Sequence, residues 1–183
     1  MNTKELTNDN DLRWFAIRTR HEFRAEEFLT PLCDEVFLPK ETVRTAGRKT
    51  RIKAFIPHVM FIKTTEQNAL SLEKQTRVPG SSPVSFWIYR YPTDNKIQVI
   101  SQQSINLLRM LSADDTSRCE IFNKTDFKEH DRVRIIGGLY KGYEGYVQRV
   151  KKNLHVVVRI EGICAVLLPF IHPDLLTKTE TKN

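Results

Sequence analysis

Glycine is concentrated in one segment of this chain. Five of its seven glycines lie between positions 137 and 162: Gly137, Gly138, Gly142, Gly145 and Gly162. Because glycine reaches backbone conformations that other residues avoid, such a cluster indicates tight turns. On either side of the turns, residues 132–135 and 146–150 alternate polar and apolar side chains with the period of a β-strand. Residues 155–160 and 165–168 add β-branched and aliphatic runs, so the sequence predicts a small, sharply bent barrel of four or five strands.

The N-terminal part mixes helices and strands. Ala25, Phe28, Leu29 and Leu32 recur at helical spacing, and Pro31 should end that helix near Thr30. The other predicted elements are strands at 12–18, 35–38, 54–62 (interrupted by Pro57) and 84–91, and helices at 68–75 and 101–111.

The change of pattern along the chain indicates two domains. Strands alternate with helices up to residue 111, strands alone follow from residue 127, and the segment between them is polar. We therefore expect an α+β domain at 11–111, a linker at 112–126 and a β-domain at 127–177, with a disordered tail at 177–183.

Composition points to a polyanionic or acidic partner, although many cytoplasmic proteins share it. The net charge is +7, from 29 basic and 22 acidic residues, with a pI near 9.4. The three cysteines are far apart and form no Cys-x-x-Cys pair, which is typical of reduced, structural thiols. The chain has no signal-like start and no apolar run near the ~20 residues that span a bilayer, so we expect a soluble, cytoplasmic protein without a membrane partner.

Catalysis is not predicted. The five histidines form no His-x-x-x-His pair, and the glycine-rich loop lacks the Lys-Ser/Thr ending of a phosphate-binding loop. We therefore expect no catalytic residue, metal site or cofactor, and a protein that is not an enzyme.

The glycine-rich segment resembles a KOW motif, the SH3-like barrel of NusG-family transcription elongation factors and some ribosomal proteins. The matching residues are Asp131, Val133, Ile135, Gly137, Gly138, Gly142, Gly145 and Val147, while His130 stands where glycine is usual. An RNA-binding KOW module on the ribosome or leader RNA is therefore an alternative, using Lys141, Arg149, Lys151 and Lys152.

The whole chain, from about Leu12 to Thr177, resembles the NusG family. Residues 13–15, 36–39 and 55–57 match the N-terminal domain in order and spacing. This implies a NusG-type α/β sandwich, an antiparallel sheet with flanking helices, followed by an SH3-like KOW barrel. Residues 84–91, 106–111 and 156–164 are similar to the UpxY-type antiterminators of capsular and exopolysaccharide operons, which suppress pausing and termination.

The resemblance implies two sites on the N-terminal domain. An apolar depression would hold the clamp helices of the largest subunit of bacterial RNA polymerase, and it matches Phe15, Phe55, Ile56, Pro57, His58 and Val59. Phe15, Phe55 and Val59 could instead be core.

The non-template DNA strand would face Arg18, Arg20, His21 and Arg24. A second basic run, with Arg44, Arg48, Lys49, Arg51 and Lys53, reads as a solvated hairpin or as a contact with polymerase or upstream DNA.

For the barrel, the resemblance implies a protein-docking loop at Arg159, Ile160, Glu161 and Gly162. General factors carry a large apolar residue where this chain has Glu161, and a carboxylate in an apolar pocket costs desolvation energy. We therefore expect weak or absent binding to the small-subunit ribosomal partner. The glycines and the Val156–Val158 run favour strands and turns over helix, so we expect a stable barrel that does not refold into a helical form. We also expect the protein to be a monomer.

Overall fold

The computed structural model describes residues 11–44, 50–113, 128–150, 153–160, 163–169 and 171–179. The chain divides into two compact units, residues 1–113 and residues 114–183. Residues 114–127 lie outside the described part, so the predicted linker stays a prediction.

The first unit is a sheet with helices on both faces. Its strands are β1 (Arg13–Thr19), β2 (Glu35–Phe37), β3 (Lys40–Arg44), β4 (Thr50–Ala54), β5 (Val59–Thr64), β6 (Phe86–Ile88) and β7 (Val99–Ile100), and its helices are α1 (Glu22–Leu29), α2 (Glu66–Thr76) and α3 (Gln102–Ala113). The main sheet has the order β2-β5-β1-β6, with β7 also on β1, and every pair in it is antiparallel. The predicted mixture of helices and antiparallel sheet is confirmed.

Local sequence signals account for the helix ends. Helix α1 ends at Leu29, and Pro31 lies in the 3-10 turn Thr30–Leu32 that follows. Proline has no N–H to donate to the preceding turn of an α-helix, so it favours the end of the helix here. At the start of α2, the Thr65 hydroxyl accepts the N–H of Asn68 at 3.2 Å. This cap places the helix start two residues before the predicted position.

The two faces of the sheet have separate cores. Phe15 and Ile17 pack with Ala25 and Leu29 of α1 and with residues of α2. Trp14 points the other way, where its indole N–H donates to Gln102 of α3 at 2.9 Å. The Arg109 guanidinium of α3 lies 5.5 Å from the Trp14 ring centre. Helix α3 therefore covers the face opposite α1 and α2.

The predicted strand at 54–62 is confirmed at residues 59–62, which lie in β5, and is wrong at residues 55–58. The chain turns at residues 55–58, between the end of β4 and the start of β5. Pro57 has no N–H to donate to a neighbouring strand, and His58 has a left-handed φ of 66°. Among the described residues, strands β3 and β4 pair with each other and with no other strand, and they form a hairpin that contains the basic run.

The second unit, in its described part, is a five-stranded antiparallel sheet. Its strands are β8 (Arg132–Ile135), β9 (Glu144–Val150), β10 (Asn153–Ile160), β11 (Cys164–Leu167) and β12 (Leu176–Lys178), in the order β11-β10-β9-β8-β12. The number of strands agrees with the prediction. Thr177 and Lys178 pair with Arg134 and Val133, so the prediction of disorder from residue 177 is wrong for this strand.

Two positions of the second unit need glycine or a backbone conformation that glycine favours. A Cβ atom on Gly145 would lie 2.4 Å from the Val157 carbonyl oxygen, so β9 and β10 need glycine there. His130 has a φ of 73°, in the left-handed region that glycine adopts most readily, and its N–H donates to the Val147 carbonyl at 2.7 Å.

Candidate protein and nucleic-acid interface

The apolar turn and the start of α1 are joined by hydrogen bonds. We call residues 55–58 the docking turn, and Arg18, Arg20, His21 and Arg24 the basic junction. The Thr19 N–H donates to the His58 carbonyl at 3.0 Å, and the His58 N–H donates to the Glu22 carboxylate at 2.6 Å. The docking turn and the basic junction therefore belong to one continuous surface.

The six predicted polymerase-binding residues do not share one exposed patch. Phe15 is fully buried and Val59 is 4% exposed. Phe15 packs among α1 and α2, whereas Val59 is the cross-strand partner of Arg18, whose side chain points to the opposite face. Phe55 and Ile56 are half-buried, and Pro57 and His58 are exposed. The accessible part of the predicted patch is the docking turn.

The basic junction carries positive charge that is not neutralised locally. Arg18, Arg20, His21 and Arg24 are all exposed. Two of the three acids of α1 have other partners, because Glu22 bonds His58 and Glu26 lies 2.7 Å from the Lys40 ammonium, while the third, Glu27, is exposed. In the described ranges, none of the three arginines forms an ion pair with a carboxylate. The junction is thus available to an anionic ligand.

The hairpin of β3 and β4 presents a second, weaker basic surface. Lys53 forms an ion pair with Glu41 at 2.9 Å, while Arg51 is exposed. Arg48 and Lys49 lie outside the described residues. Cross-strand pairing of charges and exposed side chains is typical of a solvated hairpin.

The structure brings an unpredicted aromatic residue to the basic junction. Trp87 of β6 is the cross-strand partner of Arg18 and is 44% exposed. The Arg77 guanidinium, just after α2, lies 5.7 Å from its ring centre. The signal was present in the sequence, since Trp87 falls between Phe86 and Ile88 and must point away from them. The aromatic run masked that alternation.

In the second unit, the predicted docking loop is placed in part. Arg159 is exposed, with its guanidinium 4.8 Å from the Tyr146 ring centre, and Ile160 is buried. Glu161 and Gly162 lie outside the described residues. Several basic side chains of the sheet have acidic partners: Arg134 with Glu144, Lys178 with Asp131 and Arg149 with Glu129.

Metal ligands do not cluster in the part of the chain that the structure describes. No group of three or more His, Cys, Asp or Glu side chains there could hold a metal ion. None of the helices described above combines the length and apolar character needed to cross a bilayer.

Two solved structures resemble this chain at low identity. The structure described as "Domain interaction in Thermotoga maritima NusG" matches at 15% identity, over 93% of this chain and 98% of that chain, with a TM-score of 0.48. The structure of the MjSpt4:Spt5 complex in conformation B matches at 17% identity, over 92% and 97% of the two chains, with a TM-score of 0.23. No protein-family model and no curated protein matches the sequence. At these values neither structure assigns a function to the chain.

Proposed function

We propose that this protein is a cytoplasmic transcription elongation and antitermination factor. Its first unit docks on the clamp helices of the largest subunit of bacterial RNA polymerase and faces the non-template DNA strand. It suppresses pausing and termination, in the manner of the UpxY-type factors of polysaccharide operons that the sequence resembles.

This proposal depends on the hydrogen bonds that join the docking turn to the basic junction. A half-buried apolar turn is the kind of surface that anchors a protein partner. Next to it, three arginines without carboxylate partners among the described residues form an anion-binding surface. A protein bound to polymerase beside the open DNA needs both features on one side.

The activity requires no bond to be made or broken. A factor that binds the active state of polymerase more tightly than the paused state shifts the population toward the active state. Residues on the docking turn would supply the attachment, and the basic junction would act on the exposed strand.

The docking turn is tested with Ile56→Asp in a titration with the isolated clamp helices. Ile56 is half-buried on the turn, so a carboxylate there should weaken binding at least about tenfold, since it would have to be desolvated. Val59→Asp is unsuitable, because Val59 is 4% exposed and the change would disrupt the core. Leu70→Asp is the matched control: Leu70 is 39% exposed on α2, which follows the other end of β5. Equal affinities for the two variants would contradict the placement of the site.

The activity is tested by transcription in vitro on a template with a terminator. Added protein should increase read-through, and Ile56→Asp should abolish the increase while Leu70→Asp should not. Faster termination with the unmodified protein would contradict an antitermination role.

The RNA-binding alternative would use Lys141, Arg149, Lys151 and Lys152 of the second unit. The Arg149 Nε lies 3.9 Å from a Glu129 carboxylate oxygen and Lys141 is exposed, while Lys151 and Lys152 lie outside the described residues. Ion pairing reduces the charge available to phosphates. Affinity capture from a lysate separates the two functions: polymerase should be recovered, whereas ribosomes or free RNA without polymerase would favour the alternative.

A further inference from the structure

Trp87 is unusually exposed for a tryptophan in a sheet. Its neighbours Phe86 and Ile88 are 0% and 4% exposed, whereas Trp87 is 44% exposed. It lies on β6, at the edge of the main sheet. Covering a large, water-exposed aromatic ring with a flat partner is favourable, because it removes apolar surface from water.

Two cations flank this ring. Arg18 is its direct cross-strand partner on β1, so both side chains leave the same face of the sheet. Arg77 reaches the ring from the end of α2, with its guanidinium 5.7 Å from the ring centre. In the described part of the chain no carboxylate lies within ion-pair distance of either arginine, although the Arg77 charge helps to lower the pKa of Glu73. An aromatic surface between positive charges matches a strand of stacked bases and phosphates.

We propose that Trp87 stacks on an unpaired base of a single DNA strand, with Arg18 and Arg77 contacting the phosphates on either side of that base. The identity of the strand as non-template DNA rests on the proposed function. The stacking contact itself does not, because it can be measured without polymerase.

A purely structural role for Trp87 makes a different prediction. If its ring served to pack against Arg77 at the sheet edge, its removal would lower stability and leave DNA binding unchanged. Tyr146 provides a control, since it also has a guanidinium near its ring: that of Arg159 lies 4.8 Å from the ring centre. Tyr146 is half-buried and belongs to the second unit, whereas the proposed DNA-facing surface is on the first.

The test measures binding of the full chain to labelled oligo(dT) of about twelve nucleotides, by fluorescence anisotropy at about 50 mM salt. Trp87→Ala should weaken binding about tenfold, Trp87→Phe less than about threefold, and Tyr146→Ala not measurably. An abasic oligonucleotide of equal length keeps the phosphates, so it should bind the unmodified protein and Trp87→Ala equally. The Arg18→Ala variant should reduce the dependence of log affinity on log salt, whereas Trp87→Ala should not.

Tryptophan fluorescence gives a second readout that does not depend on a variant. Trp14 is 3% exposed, so quenching by added oligo(dT) should come from Trp87. Unchanged affinity of folded Trp87→Ala, or no more quenching by oligo(dT) than by the abasic strand, would overturn the stacking site. Comigration with polymerase is measured separately, so that the two proposals can fail independently. If Trp87→Ala loses oligo(dT) binding but still comigrates, the docking proposal stands. If the unmodified protein binds oligo(dT) but not polymerase, the stacking site stands and the docking proposal fails.

Discussion

Glu73 and Arg90 form a two-pronged ion pair that ties α2 to the strand region after β6. The Arg90 Nη2 donates to Glu73 Oε2 at 2.6 Å, and its Nη1 donates to Oε1 at 3.1 Å. The Ile88 N–H also donates to Oε1, at 2.9 Å. The Glu73 residue is 5% exposed, so each of its bonds replaces a water that burial has removed. This pair anchors the edge strand that carries Trp87.

Replacing Glu73 by glutamine should lower the free energy of unfolding of the first unit by about 2 kcal/mol at pH 7, because charged hydrogen bonds in a buried site are lost. Urea unfolding followed by tryptophan fluorescence measures this, since both tryptophans lie in that unit. Glu27→Gln, an exposed glutamate of α1, is the control and should change stability by less than about 0.5 kcal/mol. Equal effects of the two changes would show that the pair does not stabilise the fold.

The same pair predicts a pH dependence. Burial alone would raise the pKa of Glu73, but hydrogen bonds from Arg90 and the Ile88 N–H outweigh it and bring the pKa below its ordinary value of 4.5. Because the folded pKa is lowered, the stabilisation is present above pH 4.5 and is lost as the pH falls through the folded pKa. The stability difference between the unmodified protein and Glu73→Gln should therefore narrow as the pH is lowered from about 5 to about 3 in urea titrations. A difference that stays constant over that range would contradict this linkage.

The thiols of Cys33 and Cys164 should react slowly in the folded protein. Burial raises the pKa of both to about 11, and the Asp34 charge adds to the effect at Cys33. At pH 8 only about one thiol in a thousand would then be the reactive thiolate. In a Cys119→Ser variant, a thiol reagent should modify both remaining cysteines within minutes in denaturant, but at least about tenfold more slowly in buffer. Equal rates would contradict the burial.

Alanine at Gly145 should destabilise the second unit by about 2 kcal/mol, because its Cβ would lie 2.4 Å from the Val157 carbonyl oxygen. Gly142→Ala is the comparison, since Gly142 has a φ of +91° but no atom lies within 4 Å of the position that an added Cβ would take. That change should cost about 1 kcal/mol through backbone strain alone. Amide hydrogen exchange in β9 and β10 measures both, and a larger effect at Gly142 than at Gly145 would contradict the close approach of the two strands.

Elements with a local signal were predictable from the sequence. The alternation at 132–135 and the spacing of Ala25 and Leu29 placed β8 and α1 closely, because in each case neighbouring residues decide the conformation. The short strands β7 and β12 were missed, since a two- or three-residue strand exists only through a distant partner.

The candidate site was harder to predict than the fold. Sequence identifies Phe15 and Val59 as apolar but does not say that both are buried, on opposite faces of the sheet. The cross-strand pairing of Trp87 with Arg18 depends on the register of β1 with β6, which no local pattern encodes. The left-handed φ of His58 was also hard to predict, because histidine adopts that conformation far less readily than glycine does.

The most direct test of the proposed function is comigration of the purified chain with assembled bacterial elongation complexes in a native gel at about 50 mM salt. The account predicts a stoichiometric shift of the complex, lost in Ile56→Asp and kept in Leu70→Asp. Absence of the unmodified protein from the shifted complex at that salt concentration would contradict the account.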